Sequence, residues 1–488
     1  MRPLTQDAPE IYPRPLPEPS ALALARRSST ITRVVGRRFA PVALRQIRTI
    51  RQGALPGIEL ARPLRKSFED LGGTFMKFGQ IIASSPGMFG DDVAEEFRAC
   101  LDTGREVPFL EVRQRVEEDL GRPLEVTFAE FERHPIGTAS IAVVHRARLH
   151  DGTQVAVKVL RPNIEQVVAT DLDLMQPLIE ILVRLTGDQL AGSTLQLLDG
   201  FRVQIGEEMD LRNEARSMVH FRRLQNEFDL KSIAVPEPYP EFSGRNVLTM
   251  EFFDGVPIDD LAQVAELGID PTPLVQAVMR AFFLTTVRWG AFHGDVHAGN
   301  MMLLRDGRIG VIDWGIVGRL DPLTHRFFLS ILSAAMGNEE AWDDVTGYIT
   351  RTYGPAIGES VGLSGPELTA FVRSIFEPAL TRPFGEVSVA GLMQAIQLQV
   401  AQAQGIEAHS RTVGAILHRL RSQRRLRRMA DASGGLMSDF DRGTFLLAKQ
   451  LMYFERYGRL FVSELPILND REFIGQLLAG VDLTSPDD

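Results

Sequence analysis

The chain has 488 residues, of which 44% are hydrophobic and 24% charged, and its net charge at neutral pH is −10. This length predicts roughly two to four structural units, and the negative charge argues against nucleic-acid binding. Cys100 is the single cysteine, which excludes an internal disulfide and a multi-cysteine metal site. No apolar run approaches the ~20 residues of a spanning helix, and the N-terminus lacks the apolar core of a signal peptide. We therefore expect a cytoplasmic protein, soluble or peripheral at a membrane.

The N-terminal segment is predicted to have two parts. Residues 1–20 are rich in proline and predict a disordered leader. Residues 21–57 contain eight arginines and no acidic residue, with apolar residues between the arginines, so that residues 21–65 predict a basic amphipathic segment. Such a segment binds an anionic membrane surface or an acidic protein; the alternative is that it packs on the acidic domain of its own chain.

The rest of the chain divides by its hydrophobic periodicity. Helical spacing with glycine stops gives way to the period-two alternation of a hairpin near residue 131, and helical patterns return from residue 163. Beyond Pro322 the pattern is almost wholly helical. The predicted boundaries are 66–130 for a helical extension, 131–250 for a unit of strands with a helical insertion, 251–340 for a core that carries two polar loops, 341–478 for a helical C-terminal part and 479–488 for a tail.

A small-residue loop and a lysine mark the predicted hairpin. The stretch "IGTASIAVV" follows the pattern of a phosphate-covering loop, with alanine at two positions where that pattern has glycine. Lys158 stands in "VAVK" on the second strand, where a kinase lysine pairs with the α- and β-phosphates. The predicted nucleotide contacts of this hairpin are Ile136, Gly137, Ala139, Ser140, Val144 and Lys158. An ordinary hairpin with a lysine is the alternative.

Two further stretches supply partners for such a site. "GEEMDLRNEA" predicts a helix that carries Glu208, Asp210 and Glu214, and Glu214 is the candidate carboxylate that holds Lys158. A solvated acidic face is the alternative for this helix. "NVLTMEFFDG" resembles a linker between two lobes. There the backbone at Glu251 and Phe253 is predicted to bond an adenine edge, with Met250 at the back of the pocket.

The run "AFHGDVHAGNMMLLRDGRIGVIDWG" carries the most specific pattern. Asp295 and Asn300 have the spacing of a kinase catalytic loop, in which the aspartate accepts a hydroxyl proton and the asparagine binds Mg²⁺. Asp313 follows an apolar strand and supplies a second hard oxygen ligand. A zinc site built on Asp295 with His293 and His297 leaves Asn300 and Asp313 unexplained. A strand-turn-strand without chemistry is the third alternative.

At "LGGTFMKFGQIIASSPGMF" the sequence resembles the ABC1/AarF/UbiB family of atypical protein-kinase-like proteins. Its Lys77-Phe78-Gly79-Gln80 matches the family's K-x-G-Q motif, and Glu208 with Asp210 matches its E-x-D motif. The resemblance covers roughly residues 65–322, and it implies an α+β, bilobal protein-kinase-like fold with a helical N-terminal extension and a helical C-terminal region. It also implies that Lys77, Gly79 and Gln80 lie over the nucleotide site as a regulatory element, near Glu208 and Asp210.

The resemblance implies ATP with Mg²⁺ or Mn²⁺ as cofactors. It implies hydrolysis of ATP or transfer of phosphate to a lipid-linked or small substrate, in support of isoprenoid or quinone lipid metabolism. A nucleotide-gated scaffold without phosphotransfer and a small-molecule phosphotransferase of the aminoglycoside or choline kinase type are the alternatives. The sequence departs from the family at Gly137 and Thr138, and in "HGDVHAGN", where prolines are missing. The basic stretch 418–429 predicts a solvated helix face or a second surface for lipid.

Overall fold

The structure is a computed structural model that describes residues 9–46, 57–83, 91–97, 106–186, 190–353, 363–381, 443, 446–447, 449–451, 453–454 and 470–479. Its elements, in chain order, are α1 (Ala21–Gln46), α2 (Gly57–Leu71), α3 (Gly73–Ala83), α4 (Asp91–Phe97), α5 (Phe109–Leu120), α6 (Leu124–Thr127), β1 (Glu130–Phe131), β2 (Gly137–Thr138), β3 (Ala142–Arg148), β4 (Gln154–Leu160), α7 (Ile164–Thr186), α8 (Leu190–Glu208), α9 (Leu211–Glu227), β5 (Ile233–Ala234), β6 (Val247–Glu251), β7 (Gly255–Pro257), α10 (Leu261–Leu267), α11 (Thr272–Trp289), β8 (Ala291–His293), β9 (Met301–Leu304), β10 (Ile309–Val311), β11 (Val317–Arg319), α12 (Pro322–Ala335), α13 (Ala341–Tyr353), α14 (Pro366–Thr381) and α15 (Arg471–Leu478).

These elements form two compact units. Residues 9–263 and 298–316 form one, which we call the sheet unit, and the described residues of 264–297 and 317–479 belong to the other, the helical unit. The α+β prediction is confirmed, and so is the helical N-terminal extension, which comprises α1 to α4. Within the described part of the chain, no helix is both long enough and apolar enough to cross a membrane.

The larger sheet of the sheet unit contains the predicted hairpin. Its strand order is β1-β3-β4-β6, with β2 paired to β3, and all pairs are antiparallel. The turn between β3 and β4 contains Gly152 at φ 93°, a conformation that glycine adopts without strain. Strand β4 is buried along all but its first residue, because β3 and β6 flank it and α5 packs on one face. The valines of this region therefore form a core around the strand that carries Lys158.

The sheet unit contains a second sheet, whose strands lie between residues 233 and 311. Its order is β5-β10-β9-β7, and only the β5–β10 pair is parallel. Phe253, Ala234 and Leu304 form its small apolar cluster. Gly310 on β10 packs under this cluster so closely that an added Cβ would lie 2.6 Å from the Phe253 ring, so only glycine fits there.

The basic helix α1 packs on its own unit. Ile31 is buried on α1, and Arg27 forms an ion pair of 2.6 Å with the buried Asp171 of α7. Burial raises the pKa of Asp171, although Arg27 opposes this. Arg38 pairs with Asp70 of α2 at 2.7 Å. The intramolecular alternative therefore accounts for Ile31 and two of the arginines, and binding of a membrane or an acidic partner stays a prediction for the rest of the helix.

The N-terminal leader has a defined course where it is described. Residues 9–20 are extended, and the backbone of Tyr12 exchanges hydrogen bonds of 3.1 and 2.8 Å with the side chain of Asn213 on α9. Arg14 pairs with Glu165 at 2.8 Å, and its backbone N–H donates to the Gly206 carbonyl at 2.8 Å. Tyr12 and Arg14 thus have specific partners in the sheet unit, and the disorder expected for residues 1–20 stays a prediction. Residues 1–8 lie outside the described part.

The helical unit is built around α11. Phe282 on this helix contacts Phe292 of β8 and Phe454 edge-on, with ring centroids 5.2 and 4.9 Å apart. Strand β8 pairs with β11 in a short antiparallel ribbon, and Asp321 then caps α12 by accepting hydrogen bonds from the backbone of Leu323 and Thr324. The predicted basic stretch 418–429 and residues 480–488 of the predicted tail lie outside the described residues, as does Cys100.

Candidate functional site

Lys158 lies in the middle of β4, opposite Val144 on β3 and Leu248 on β6. The residue is 9% exposed, and its ammonium group reaches two carboxylates that are distant in the sequence. Lys158 Nζ is 3.0 and 2.9 Å from the two oxygens of Glu214 and 3.1 Å from Oδ1 of Asp313. The structure therefore brings together three residues that the sequence analysis had selected, and all three belong to the sheet unit.

Glu214 lies in the first turn of α9, and the helix that carries it is shorter than predicted. The sequence analysis placed Glu208, Asp210 and Glu214 on one helix, but the chain leaves the helical conformation at Asp210, where φ is −123° and ψ is 96°. Asp210 caps α9 instead, with its side chain accepting the Arg212 N–H. Burial alone would raise the pKa of Asp210, but the hydrogen bonds and charge of Arg212 hold that pKa below its usual range.

Burial and charge act in opposite directions on the central pair. Burial lowers the pKa of Lys158, but the carboxylates of Asp313 and Glu214 outweigh this effect and raise the pKa above its usual value. Burial raises the pKa of Glu214 to about 7, although Lys158 favours the ionised form of that carboxyl. Lys158 therefore stays charged, because the carboxylates of Glu214 and Asp313 lie within 3.1 Å of its ammonium group.

The loop after β10 is tied directly to this pair. Asp313 has a φ of 63°, in the left-handed region that few residues other than glycine, asparagine and aspartate adopt. The backbone N–H of Trp314 donates to Glu214 at 3.2 Å, and its ring lies 4.5 Å from the Phe221 ring of α9. The tryptophan of the Asp-Trp-Gly motif therefore packs on α9 and helps to hold Asp313 in its conformation.

Asn300 lies close to the same loop. It ends a short 3₁₀ turn, is 7% exposed, and its carbonyl accepts the N–H of Ile312 at 2.9 Å. This bond joins the backbone of Asn300 to the residue before Asp313. An amide oxygen and a carboxylate are ligands that Mg²⁺ accepts, so this pair fits the predicted metal site. No set of three or more His, Cys, Asp and Glu side chains suited to a metal occurs in the described part of the chain.

Lys77 lies on α3 and reaches the carboxylate of Glu208 at 2.7 Å. The α3 helix packs on α8 through Phe78 and Phe201, whose ring centroids are 5.4 Å apart. Gly79 is buried in α3, Gln80 is partly exposed, and Asp210 pairs with Arg212 rather than with Lys77. The predicted regulatory residues therefore share one region of the sheet unit, with Glu208 as the partner of Lys77.

These residues enclose a small cavity. Its volume is about 20 Å³, room for about one water molecule, and its lining residues are Lys77, Ala139, Ser140, Ile141, Ala142, Lys158, Leu160, Glu207, Glu208, Asp210, Leu211, Glu214, Asp313 and Gly315. Both the Lys158–Glu214 pair and the Lys77–Glu208 pair thus face one space. Glu207, which is 7% exposed, was missed by the sequence analysis, because its neighbour Glu208 matched the motif.

The predicted phosphate loop is a tight turn. Ala139 N–H donates to the Ala142 carbonyl at 2.9 Å, and Arg161 donates two hydrogen bonds to the Ala139 carbonyl from behind the turn. Ser140 at its tip is buried. Gly137 adopts an ordinary strand conformation on β2, and an added Cβ would lie 3.8 Å from Val144, so the glycine is not required by the backbone. Ile136, by contrast, is half exposed.

The predicted adenine contacts lie at the end of β6. Met250 is buried opposite Ala156, and Phe253 belongs to the apolar cluster of the second sheet. The backbone N–H of Glu251 already donates to the carbonyl of Glu237 at 2.8 Å. The Met250 prediction fits its buried position, while the contacts of Glu251 and Phe253 with a nucleotide stay predictions.

Asp295 lies in the helical unit, between β8 and the 3₁₀ turn. Its backbone N–H donates to His293 Nδ1 at 3.1 Å, so His293 restrains the backbone of this loop. The carboxylate contacts Lys449 at 2.6 Å, and His297 Nε2 is 3.9 Å from its other oxygen. The sequence analysis missed Lys449, because no motif marked the C-terminal region and the contact spans 154 residues of sequence.

Comparisons with known proteins identify the family. A model of the ABC1 atypical kinase-like domain matches residues 100–342. An aarF domain-containing protein kinase of the Arabidopsis thaliana chloroplast is 33% identical over 432 residues, which cover 87% of this chain and 77% of that protein. The chain belongs to the ABC1 atypical kinase-like family.

Two further proteins and one solved structure are also similar to this chain. The protein Rv0647c of Mycobacterium tuberculosis is 32% identical over 86% of this chain and 78% of its own length. The probable protein kinase UbiB of Aeromonas salmonicida is 30% identical over 68% of this chain, and the match spans 60% of that relative. The complex of Rv3197 with erythromycin from Mycobacterium tuberculosis aligns over 86% of this chain with 22% identity and a TM-score of 0.46.

The buried ion pair predicts a specific loss of stability. Replacing Glu214 by alanine leaves Lys158 with one carboxylate and removes the acceptor of the Trp314 N–H, so we expect unfolding in urea to become easier by about 3–5 kcal/mol. Glu227→Ala, at the exposed end of the same helix, is the matched control and should change stability by less than about 0.5 kcal/mol. Equal stability of the two variants would contradict the assigned role of the pair.

Proposed function

We propose that this ABC1-family protein binds MgATP in its sheet unit and catalyses phosphoryl transfer or ATP hydrolysis. One observation carries the proposal. Carboxylate oxygens of Glu214 and Asp313 lie within 3.1 Å of the Lys158 ammonium group, although Asp313 is 155 residues from Lys158 in the sequence. A charged lysine held by a helix carboxylate next to a metal-binding aspartate is the arrangement that kinases use to orient nucleotide phosphates.

The residues that would hold the cofactor are all in the sheet unit. Lys158 would contact the phosphates, and Asp313 with Asn300 would hold Mg²⁺ or Mn²⁺, whose charge neutralises the phosphate oxygens when it is bound. Ala139 and Ser140 line the same cavity as Lys158 and would cover the phosphates from the β2–β3 turn. Arg161 donates two hydrogen bonds to the Ala139 carbonyl in the β2–β3 turn, which restrain the backbone of this turn before a nucleotide binds.

Asp295 would act on the acceptor in this proposal. An acceptor hydroxyl or a water molecule loses its proton to the carboxylate as its oxygen bonds to the γ-phosphorus, and ADP leaves with the bridging oxygen. The acceptor class that we propose is a lipid-linked or small molecule. The family membership supports this class of acceptor. An anionic membrane surface that binds the exposed arginines of α1 would bring such an acceptor close to the protein. Arg26, Arg33 and Arg37 are exposed on that helix.

The metal-binding part of the proposal is tested by ligand-induced stabilisation. MgATP at about one hundred times its Kd should stabilise the wild type by about 2.7 kcal/mol, measured as a rise in Tm. Asp313→Asn should lose most of this rise, because asparagine keeps the left-handed backbone and the contact with Lys158 but carries no charge for the metal. Asp259→Asn, an exposed aspartate, is the matched control and should respond like the wild type. No shift in the wild type would refute the nucleotide site.

The catalytic part is tested by turnover. Asp295→Asn should bind MgATP with unchanged affinity, because Asp295 is not among the residues proposed to hold the nucleotide, and should lower phosphate release by about 10²–10⁴-fold. Phosphate release is measured with and without anionic lipid vesicles, at saturating MgATP. Turnover in Asp295→Asn equal to that of the wild type would show that this carboxylate is not the base.

A nucleotide-gated scaffold is the second candidate, and the Lys77–Glu208 pair favours it. The cavity that this pair helps to enclose has a volume of about 20 Å³, which is far below the ~300 Å³ of a small ligand pocket. Nucleotide phosphates and the side chain of Lys77 would compete for this space. In this candidate function, binding displaces α3 and changes a surface of the protein without any phosphotransfer.

Removing the Lys77 side chain separates these candidates. Lys77→Ala should tighten MgATP binding, measured by titration, because it removes the side chain that competes with the nucleotide phosphates for space in the cavity. Lys66→Ala on the neighbouring α2 is the matched control and should bind as the wild type does. Tighter binding together with faster phosphate release supports a latched enzyme, and tighter binding without any phosphate release supports the scaffold. Unchanged binding would contradict the latch itself.

A further inference from the structure

Asp295 in the predicted catalytic loop contacts the C-terminal segment, by which we mean residues 449–451 and 453–454. Lys449 Nζ lies 2.6 Å from Asp295 Oδ1, and both residues belong to the helical unit. Gln450, which is fully buried, clamps the next residue of the loop: its side chain accepts the Val296 N–H at 2.8 Å and donates to the Val296 carbonyl at 3.0 Å. Tyr453 lies beside the loop histidine His297, with ring centroids 5.9 Å apart.

These contacts are specific because each polar group is buried. Lys449 is 7% exposed, and an ammonium group in such a place is costly unless a carboxylate compensates it. The two hydrogen bonds of the Gln450 side chain restrain the N–H and the carbonyl of Val296, and with them the backbone next to Asp295. Phe454 anchors the segment by packing against Phe282 of α11. Neither Lys449 nor Gln450 is explained by the nucleotide site, which lies in the sheet unit.

We propose that Lys449 is a positioning residue for Asp295, so that the C-terminal segment completes the catalytic loop. The inference rests on the proposed function, since it assigns to Lys449 the orientation of the base in that reaction. Lys449 contacts Oδ1 of the carboxylate, and in the proposed reaction this carboxylate accepts the hydroxyl proton. Among the described residues, His297 Nε2 lies 3.9 Å from Asp295 Oδ2, and His293 accepts the backbone N–H of Asp295.

The charge of Lys449 has a defined effect on the proposed step. The acceptor oxygen bonds to the γ-phosphorus, the bond from phosphorus to the bridging oxygen breaks, and the proton moves to Asp295. A base must be ionised before it can accept this proton, and a neighbouring ammonium group favours the ionised carboxylate. Lys449 thus favours the ionised form of the base and restrains the position of its Oδ1. The same contact lowers the rotational freedom of the carboxylate, which is a requirement for efficient proton transfer.

Steady-state kinetics of the full chain test this role. Lys449→Met keeps the length of the side chain but removes the charge, and it should lower kcat for phosphate release by about 10- to 100-fold with an unchanged affinity for MgATP. Lys449→Arg keeps the charge and should retain most of the turnover. The acidic limb of the kcat profile should move to higher pH in Lys449→Met, because the carboxylate loses the cation that favours its ionised form. Lys231→Met, at a surface lysine, is the matched control.

A double-mutant cycle separates positioning from a purely structural role. If Lys449 acts through Asp295, adding Lys449→Met to Asp295→Asn should cause no further loss of turnover. An additional loss of the same size, or failure of Lys449→Arg to restore turnover while Tm is unchanged, would overturn the inference. Turnover of Lys449→Met within twofold of the wild type would also overturn it and leave the proposed function intact. Absence of turnover in the wild type itself would refute the proposed function, and the inference with it.

Discussion

Lys158 brings an ammonium group into a place where only 9% of the residue is exposed, and a charge there must be compensated by the protein. Glu214 and Asp313 provide the compensation, and the contacts around them follow from this need. Glu214 must face the sheet, which sets the rotation of α9. Asp313 must reach the same point, which requires the left-handed turn after β10. The need to compensate the buried charge of Lys158 therefore accounts for the positions of both carboxylates in the sheet unit.

The surroundings of α9 stabilise this arrangement. Asp210 caps the start of the helix, and Asn213 in its first turn exchanges hydrogen bonds with the backbone of Tyr12 in the N-terminal segment. Trp314 packs on Phe221 of the same helix and donates its backbone N–H to Glu214. These contacts come from both ends of the unit's sequence. A substitution at residues 9–14 therefore acts on the Lys158–Glu214 ion pair through helix α9. The Lys77–Glu208 pair adds a further element that faces the same cavity.

The sequence predicted much of this site for a physical reason. Hairpin β3–β4 follows from alternating valines and a D-G turn, which depend on residues that are close together in the chain. The motif residues Lys158, Glu214 and Asp313 were recognised because phosphate chemistry restricts the residue types that serve it. Prediction failed where local patterns mislead. "GEEMDLRNEA" has helical composition throughout, but Asp210 uses its carboxylate as a cap and breaks the helix, a choice that depends on Arg212 and on the burial of Glu214.

By itself the sequence determined the α+β class, the family and the residue types of the candidate site, because short motifs and periodicity are local properties. Only the tertiary structure decided which partners those residues have. The proline-rich composition of residues 1–20 carries no information about the contact between Tyr12 and Asn213. Lys449 was missed for the same reason: one lysine in a helical region has no signature, and its meaning comes from a 2.6 Å contact with Asp295. Long-range ion pairs are decided by packing, because the chain must fold before distant charges can compensate each other.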